Sequence, residues 1–354
     1  MVFPSNLMIE YKSNTERVMF YEIEPCMEGS RSLTLRKINF GGIRMKNQIS
    51  IREATTESDI AAFWEQLRLY FKRDIFPNPE DEEREYFLSD TEYRKNIQDI
   101  HDRPEDPCYY LFFQREGQDI GFAMPAIYRT EDGKCFILEF CVYPKFRGNG
   151  TGRECARVLL DWAKGHGALY AELNYGGTDC RRRFWESAGF VENGIDEWGE
   201  PLMILPPDEN VPIVIETLSA PEDWQLMKLE NGYQKEIGGQ ALTEQKQKHL
   251  QQAIRDGKIV FFVAKRGYRA VGICSVAKCF STCTYSDTAI FQDFYIEPVF
   301  RKKGIAQKLA QAAQAWCKEH GVASLYACCA PCDERMCQAL GFGTRLGTAF
   351  AHLC

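Results

Sequence analysis

The chain of 354 residues has only five histidines, and it is short of positive charge: 43 Lys and Arg face 50 Asp and Glu, a net charge of −7. A non-specific nucleic-acid binder needs a net basic face to displace counterions from phosphates, so the composition argues against that role. Long apolar runs are missing as well. The longest clean one, Ile259-Val260-Phe261-Phe262-Val263-Ala264, falls far below the roughly 18 residues of a membrane helix, so no membrane role is expected. The opening Met1-Val2-Phe3-Pro4-Ser5-Asn6 lacks a basic stretch followed by an apolar one; no secretory signal is read, and a cytoplasmic location is the expectation. Gly (27) and Pro (15) are too few for a collagen-like or low-complexity chain.

What is present is ordinary globular material. Hydrophobic residues make up 45% and charged residues 26%, enough for two cores in a chain long enough for two domains. The 15 cysteines are odd in number and accompany no export signal, so reduced, mostly buried thiols are expected. Cys328, Cys329, Cys332 and Cys337 cluster, and Cys329-Ala330-Pro331-Cys332 has CxxC spacing. No second CxxC or paired His follows at ligand spacing, so a structural reading is preferred and no metal is expected.

The chain repeats itself. Glu139-Phe-Cys-Val-Tyr-Pro144-Lys-Phe-Arg147-Gly-Asn-Gly150-Thr-Gly152 aligns with Asp293-Phe-Tyr-Ile-Glu-Pro298-Val-Phe-Arg301-Lys-Lys-Gly304-Ile-Ala306. The register carries on to Trp162 with Trp316 and Gly167 with Gly321, then to Ala188-Gly189-Phe190 with Leu340-Gly341-Phe342. A period this long means two copies of one domain rather than a solenoid. The acidic, proline-rich Leu205-Pro206-Pro207-Asp208-Glu209-Asn210-Val211-Pro212 reads as the linker. The expected organisation is an extension over residues 1–47, domain one over 48–206, a linker over 207–212 and domain two over 213–354. In the extension, residues 18–23 and 32–40 could pair as a hairpin, and Met45 could be the natural start.

Each copy reads as strand, helix, hairpin, strand, helix, strand, helix and strand, an α+β class with a mixed sheet. Hairpins are expected over 109–127 and 259–277, motif strands over 135–142 and 289–296. Thr56 offers a helix cap, and Gly165 and Gly321 are placed to end helices in the left-handed conformation.

A strand running through Arg-x-x-Gly-x-Gly/Ala into a helix is suited to anions. Glycine lets the backbone turn sharply, and the first helical N–H groups have no intrahelical partner. Arg147 and Arg301 add charge or brace the loop. The motif is neither a Walker loop, since Lys-Ser/Thr is missing, nor a dinucleotide fingerprint.

With these residues the chain resembles the GNAT superfamily of acetyl-CoA-dependent N-acetyltransferases, in tandem, from about residue 48 onward. The resemblance implies that Arg147, Gly148, Asn149, Gly150, Thr151 and Gly152 cradle the coenzyme A diphosphate. Arg301, Lys302, Lys303, Gly304, Ile305 and Ala306 would do so in the second copy. It also implies that the motif strand splays from its neighbour, with Cys141, Val142 and Tyr143, and Tyr295, Ile296 and Glu297, pairing with the pantetheine arm.

Amide formation needs a neutral amine, yet an aliphatic amine of pKa about 10 is mostly protonated at pH 7. Glu139 and Asp293, at equivalent positions, are the expected bases; as alternatives they bond backbone or hold a substrate cation. A strand-end N–H, of Val142 or Ile296, would polarise the thioester carbonyl. The chain departs from the family at the Tyr of the last helix, replaced by Trp185 and by Cys337. Residues 71–102, with Asp81-Glu82-Glu83-Arg84-Glu85-Tyr86, read as a solvated helical face or as an acidic lid. The polar Ser281-Thr282-Cys283-Thr284 of copy two reads as a loop. The expected function is N-acetyl transfer from acetyl-CoA to an amine of a small molecule or peptide. The rival is a non-catalytic coenzyme A sensor or scaffold.

Overall fold

The computed structural model describes residues 7–9, 20–23, 35–37, 48–81, 84–89, 91–196, 199–282 and 285–347. Met45, Glu82, Glu83, Cys283 and Thr284 lie outside the described residues. The chain divides into two units, Met1–Gln48 and Ile49–Cys354. In the first, β1 (Leu7–Ile9), β2 (Phe20–Ile23) and β3 (Leu35–Lys37) form an antiparallel sheet in that order. β2 pairs with β3, with Glu22 opposite Arg36.

The second unit carries both repeats. The first contains β4 (Ile49–Glu53), α1 (Glu57–Tyr70), a π-helical turn (Phe71–Ile75), α2 (Arg84–Ser89), α3 (Thr91–His101), β5 (Leu111–Arg115), β6 (Gln118–Tyr128) and β7 (Lys134–Val142). There follow α4 (Thr151–Gly165), β8 (Tyr170–Asn174), α5 (Asp179–Glu186), β9 (Val191–Ile195) and β10 (Pro201–Leu205). Its seven-stranded sheet has the order β4-β5-β6-β7-β8-β10-β9. The second repeat contains β11 (Ile213–Thr217), α6 (Trp224–Glu236), α7 (Glu244–Arg255), β12 (Ile259–Arg266), β13 (Arg269–Ser281) and β14 (Ser286–Ile296). α8 (Ile305–Glu319), β15 (Ser324–Ala327) and α9 (Glu334–Ala339) complete it, with sheet order β11-β12-β13-β14-β15. Both sheets are antiparallel except at β7–β8 and β14–β15, which are parallel. This is the expected α+β mixed-sheet class, in tandem.

Local chemistry sets these elements. Thr56 caps α1 by accepting from the Asp59 N–H. Glu116 and Gly117, both at positive φ, close the β5–β6 hairpin. At the helix ends the expectation needs one correction: Gly165 is the last residue of α4, and Gly167 takes the left-handed conformation at φ +95°. Its repeat partner Gly321 does so at φ +69°, as expected. A second difference lies near the end. Phe190 leads into β9, but the Gly-rich 343–347 is irregular after Phe342, in keeping with its low strand propensity.

The repeats share buried ground. Tyr170 and Ile204 of the first pack among Phe262, Ile296, Phe300 and Leu309 of the second. Arg269, 1% exposed, lies across this seam with its guanidinium on Glu172 at 3.0 Å, on Glu297 at 2.9 Å and over the Tyr170 ring.

Candidate active site

In each repeat a strand runs out past its parallel neighbour. β7 pairs with β6 along its whole length, but with β8 only from Lys134 to Phe136. β14 pairs with β13 to Ile296, but with β15 only from Thr288 to Phe291. Residues 137–142 and 292–296 therefore border an open seam. The Tyr143 N–H donates to the Ile120 carbonyl at 2.9 Å, and the Glu297 N–H to the Val271 carbonyl at 3.0 Å. Alternation then turns the amides of Val142 and Ile296 to the open side. Their carbonyls confirm it: Arg147 Nε donates to Val142 O at 2.7 Å, and Arg301 Nε to Ile296 O at 2.8 Å. Of the strand-end residues singled out from sequence, Tyr143 and Glu297 thus spend their N–H inside the sheet, and the Glu297 carboxylate is held by Arg269.

The next turn is left-handed at two equivalent positions in both repeats and differs between them, where Asn149 is at φ +49° and Lys303 is not at positive φ. Gly148 and Lys302 sit at φ +88° and +61°, and Gly150 and Gly304 at +81° and +77°. The latter pair are the N-caps of α4 and α8. A Cβ on Gly148, Gly150 or Gly304 would meet no atom within 4 Å, so these positions front open space. The helix N-termini behind them carry unpaired N–H groups and positive potential. The corner residues divide by role. The Thr151 and Ile305 side chains are buried, so they present backbone only. Gly152 admits the Phe184 ring, whose Cε2 would lie 2.9 Å from a Cβ there. Asn149 and Lys302 are exposed, as is Lys303, whose Nζ reaches Glu209 at 2.7 Å. Ala306 is half-buried. The arginines brace the corner: Arg147 pairs with Asp74 of the π-helical turn, and Arg301 with Glu236 at the end of α6. Burial opposes ionisation of Asp74, but Arg73 and Arg147 hold its carboxyl below the usual range.

The two carboxylates flank this seam. Glu139 follows a bulge in β7, where the pairing steps from Met124↔Glu139 to Pro125↔Ile137. Burial pushes its carboxyl up to about 8, against the Tyr93 hydroxyl at 3.5 Å, the Arg181 charge and Tyr70. Asp293 itself adopts φ +48°, a left-handed bulge that Asp tolerates better than most residues. It accepts from Ser275 Oγ, and burial raises its carboxyl. Behind it Glu230 of α6 is also raised, to about 8, by burial and by the charge of Asp293.

Tyr70, Tyr93 and Arg181, and Glu230 and Ser275, were not read from sequence. They reach the carboxylates from separate elements, so no local spacing marks them. Glu230 alone left a trace: it stands four residues after Leu226, on the apolar stripe of α6. The 71–102 segment has a solvated charged face, with Lys72, Glu80, Glu92 and Lys95 exposed, and a second face not read from sequence. Phe71, Phe76, Phe87 and Tyr93 turn inward as an aromatic cluster against the β-sheet, which brings Tyr93 to Glu139. Trp185 is buried with Phe140, Phe184 and Phe190. The Cys337 thiol is pushed up to about 11 by burial and by Cys329.

The acetyltransferase (GNAT) family profile matches residues 64–190 and 224–342, and the chain belongs to that family. Its two domains are acetyltransferase domains in tandem, which places it among acyltransferases. No curated protein matches in sequence. Solved structures similar to it include an aminoglycoside acetyltransferase from an uncultured soil metagenomic sample, in complex with sisomicin. It is 17% identical over 40% of this chain and 95% of that one, with a TM-score of 0.36. A predicted acetyltransferase from Clostridium acetobutylicum with acetyl-CoA is 12% identical over 40% and 96%, with a TM-score of 0.36. Glucosamine-6-phosphate N-acetyltransferase from Arabidopsis thaliana is 13% identical over 40% and 99%, with a TM-score of 0.33.

Proposed function

We propose that the protein moves an acetyl group from acetyl-CoA to an amine of a small molecule or peptide, in the cytoplasm. The domains follow the repeat, 48–206 and 213–354, with 207–212 as linker. The observation that carries the reading is the doubled corner: equivalent left-handed residues, equivalent Arg-to-carbonyl braces and a raised carboxylate in both copies. The backbone at Gly148–Gly150 and Lys302–Gly304, with the first turns of α4 and α8, holds the diphosphate. The Val142 and Ile296 amides face the thioester. Glu139 or Asp293 takes one proton from the acceptor ammonium, the amine nitrogen bonds the carbonyl carbon and gives up its second proton to solvent, and the C–S bond breaks to release the thiolate, which solvent protonates.

One observation favours a second reading, a coenzyme A sensor or scaffold: neither Trp185 in its aromatic packing nor the raised Cys337 thiol is a ready proton donor to sulfur. A thiol-release assay with acetyl-CoA and a panel of primary amines separates the two. Turnover that falls in Glu139→Gln or Asp293→Asn supports the enzyme. Coenzyme binding with no turnover over the panel supports the sensor.

A further inference from the structure

Asp293 has a companion that its counterpart Glu139 lacks. Glu230 lies on α6, which packs across β13 and β14. The approach is close because residue 232 is Gly: a Cβ there would stand 2.8 Å from the Tyr295 ring. Glu230 is 4% exposed, and its Oε1 is enclosed with no hydrogen-bond partner. The charge of Asp293 bears on it, and both bear on Tyr233, one turn further along α6. Asp293 remains partly exposed, so the pair is reached from solvent.

The surroundings supply almost no donor. Ser275 of β13 serves Asp293 alone. Its neighbour Cys274 is a thiol made still less acidic by burial and by Asp293. Of the two cations on the same helix, Lys228 is turned to Glu297 at 3.7 Å and Glu172 at 4.0 Å, and Lys235 is exposed in the last turn. A buried carboxylate oxygen without a donor is costly, and two facing carboxylates without a cation are costlier. Glu139 by contrast has its donors built in, from Tyr93 and Tyr70, with the Arg181 charge near it.

We infer that Glu230 and Asp293 together form an ammonium-binding pair, the acceptor site of the second repeat for a primary amine. The inference rests on the reading of Asp293 as base and adds Glu230 as the group that holds the cation. A primary ammonium has three N–H donors, enough for Glu230 Oε1 and the free side of Asp293. As it enters, the proton held by the pair leaves to solvent. Asp293 then takes the ammonium proton while Glu230 keeps its charge.

The test is calorimetry with n-butylamine at pH 7, in phosphate and in MOPS, whose different ionisation heats report protons exchanged. The wild type should bind with release of up to one proton. Glu230→Gln and Asp293→Asn should weaken binding at least tenfold and abolish the release, whereas Glu244→Gln, at the exposed start of α7, should retain both. Glu230→Gln copies the protonated side chain, and its melting curve and acetyl-CoA heat report an intact fold. Unchanged butylamine binding and proton release in Glu230→Gln would overturn the inference, as would no amine heat in the wild type. Failure of acetyl-CoA alone to bind would instead contradict the acetyltransferase reading.

Discussion

Two carboxyls raised to about 8 make this a protein whose proton uptake is tied to its fold. Native Glu139 and Glu230 hold protons that the unfolded chain, with ordinary values near 4.5, has lost. Their contribution is therefore complete below about pH 4.5 and disappears as pH rises through about 8. Stability measured by urea titration should fall across that window, and Glu230→Gln, which cannot ionise, should flatten the fall. A base must be deprotonated to act, so kcat/KM carried by Glu139 should rise with pH to an inflection near 8. In Glu139→Gln that limb should vanish with a loss of about 10²–10⁴-fold. At this scale the sequence was half legible. The repeat offset singled out Glu139 and Asp293, but no spacing could reveal that Tyr93 or Ser275 would reach them.

The strand-to-helix corner is where element and chemistry meet. Gly150 and Gly304 are left-handed with open space beside them. Replacing either by Ala costs about 1–2 kcal/mol through backbone strain alone, read as a lower urea midpoint. Coenzyme binding should weaken at the same corner. The corner was legible because glycine and arginine at fixed spacing report a backbone conformation. It reappears with Lys302 where the first copy has Gly148, so the conformation outlasts the residue. The aromatic packing of 71–102 was not legible, because its charged residues dominate the composition while Phe71, Phe87 and Tyr93 do the packing. The role of Arg147 and Arg301 was left open in sequence; their Nε contacts to strand-end carbonyls make them braces.

Across the whole second unit, the two repeats are joined by a buried charge network. Arg269 bridges Glu172 of one and Glu297 of the other, beside Asp132, whose carboxylate takes the Tyr170 hydroxyl. Removing the guanidinium leaves buried carboxylates uncompensated, so Arg269→Met should cost about 3–5 kcal/mol in equilibrium unfolding. A loss below about 1 kcal/mol would show the seam to be held by its apolar contacts instead. Duplication was plain from the sequence, but the seam was not: Arg269 lies one residue from a hairpin turn and reads locally as a solvated cation.

The central claim is that both corners bind the same thioester. Titration calorimetry of acetyl-CoA into the wild type and into Gly150→Val and Gly304→Val tests it most directly. Two sites are expected in the wild type and one in each variant. An absence of heat in the wild type, or variants that bind as the wild type does, would contradict it.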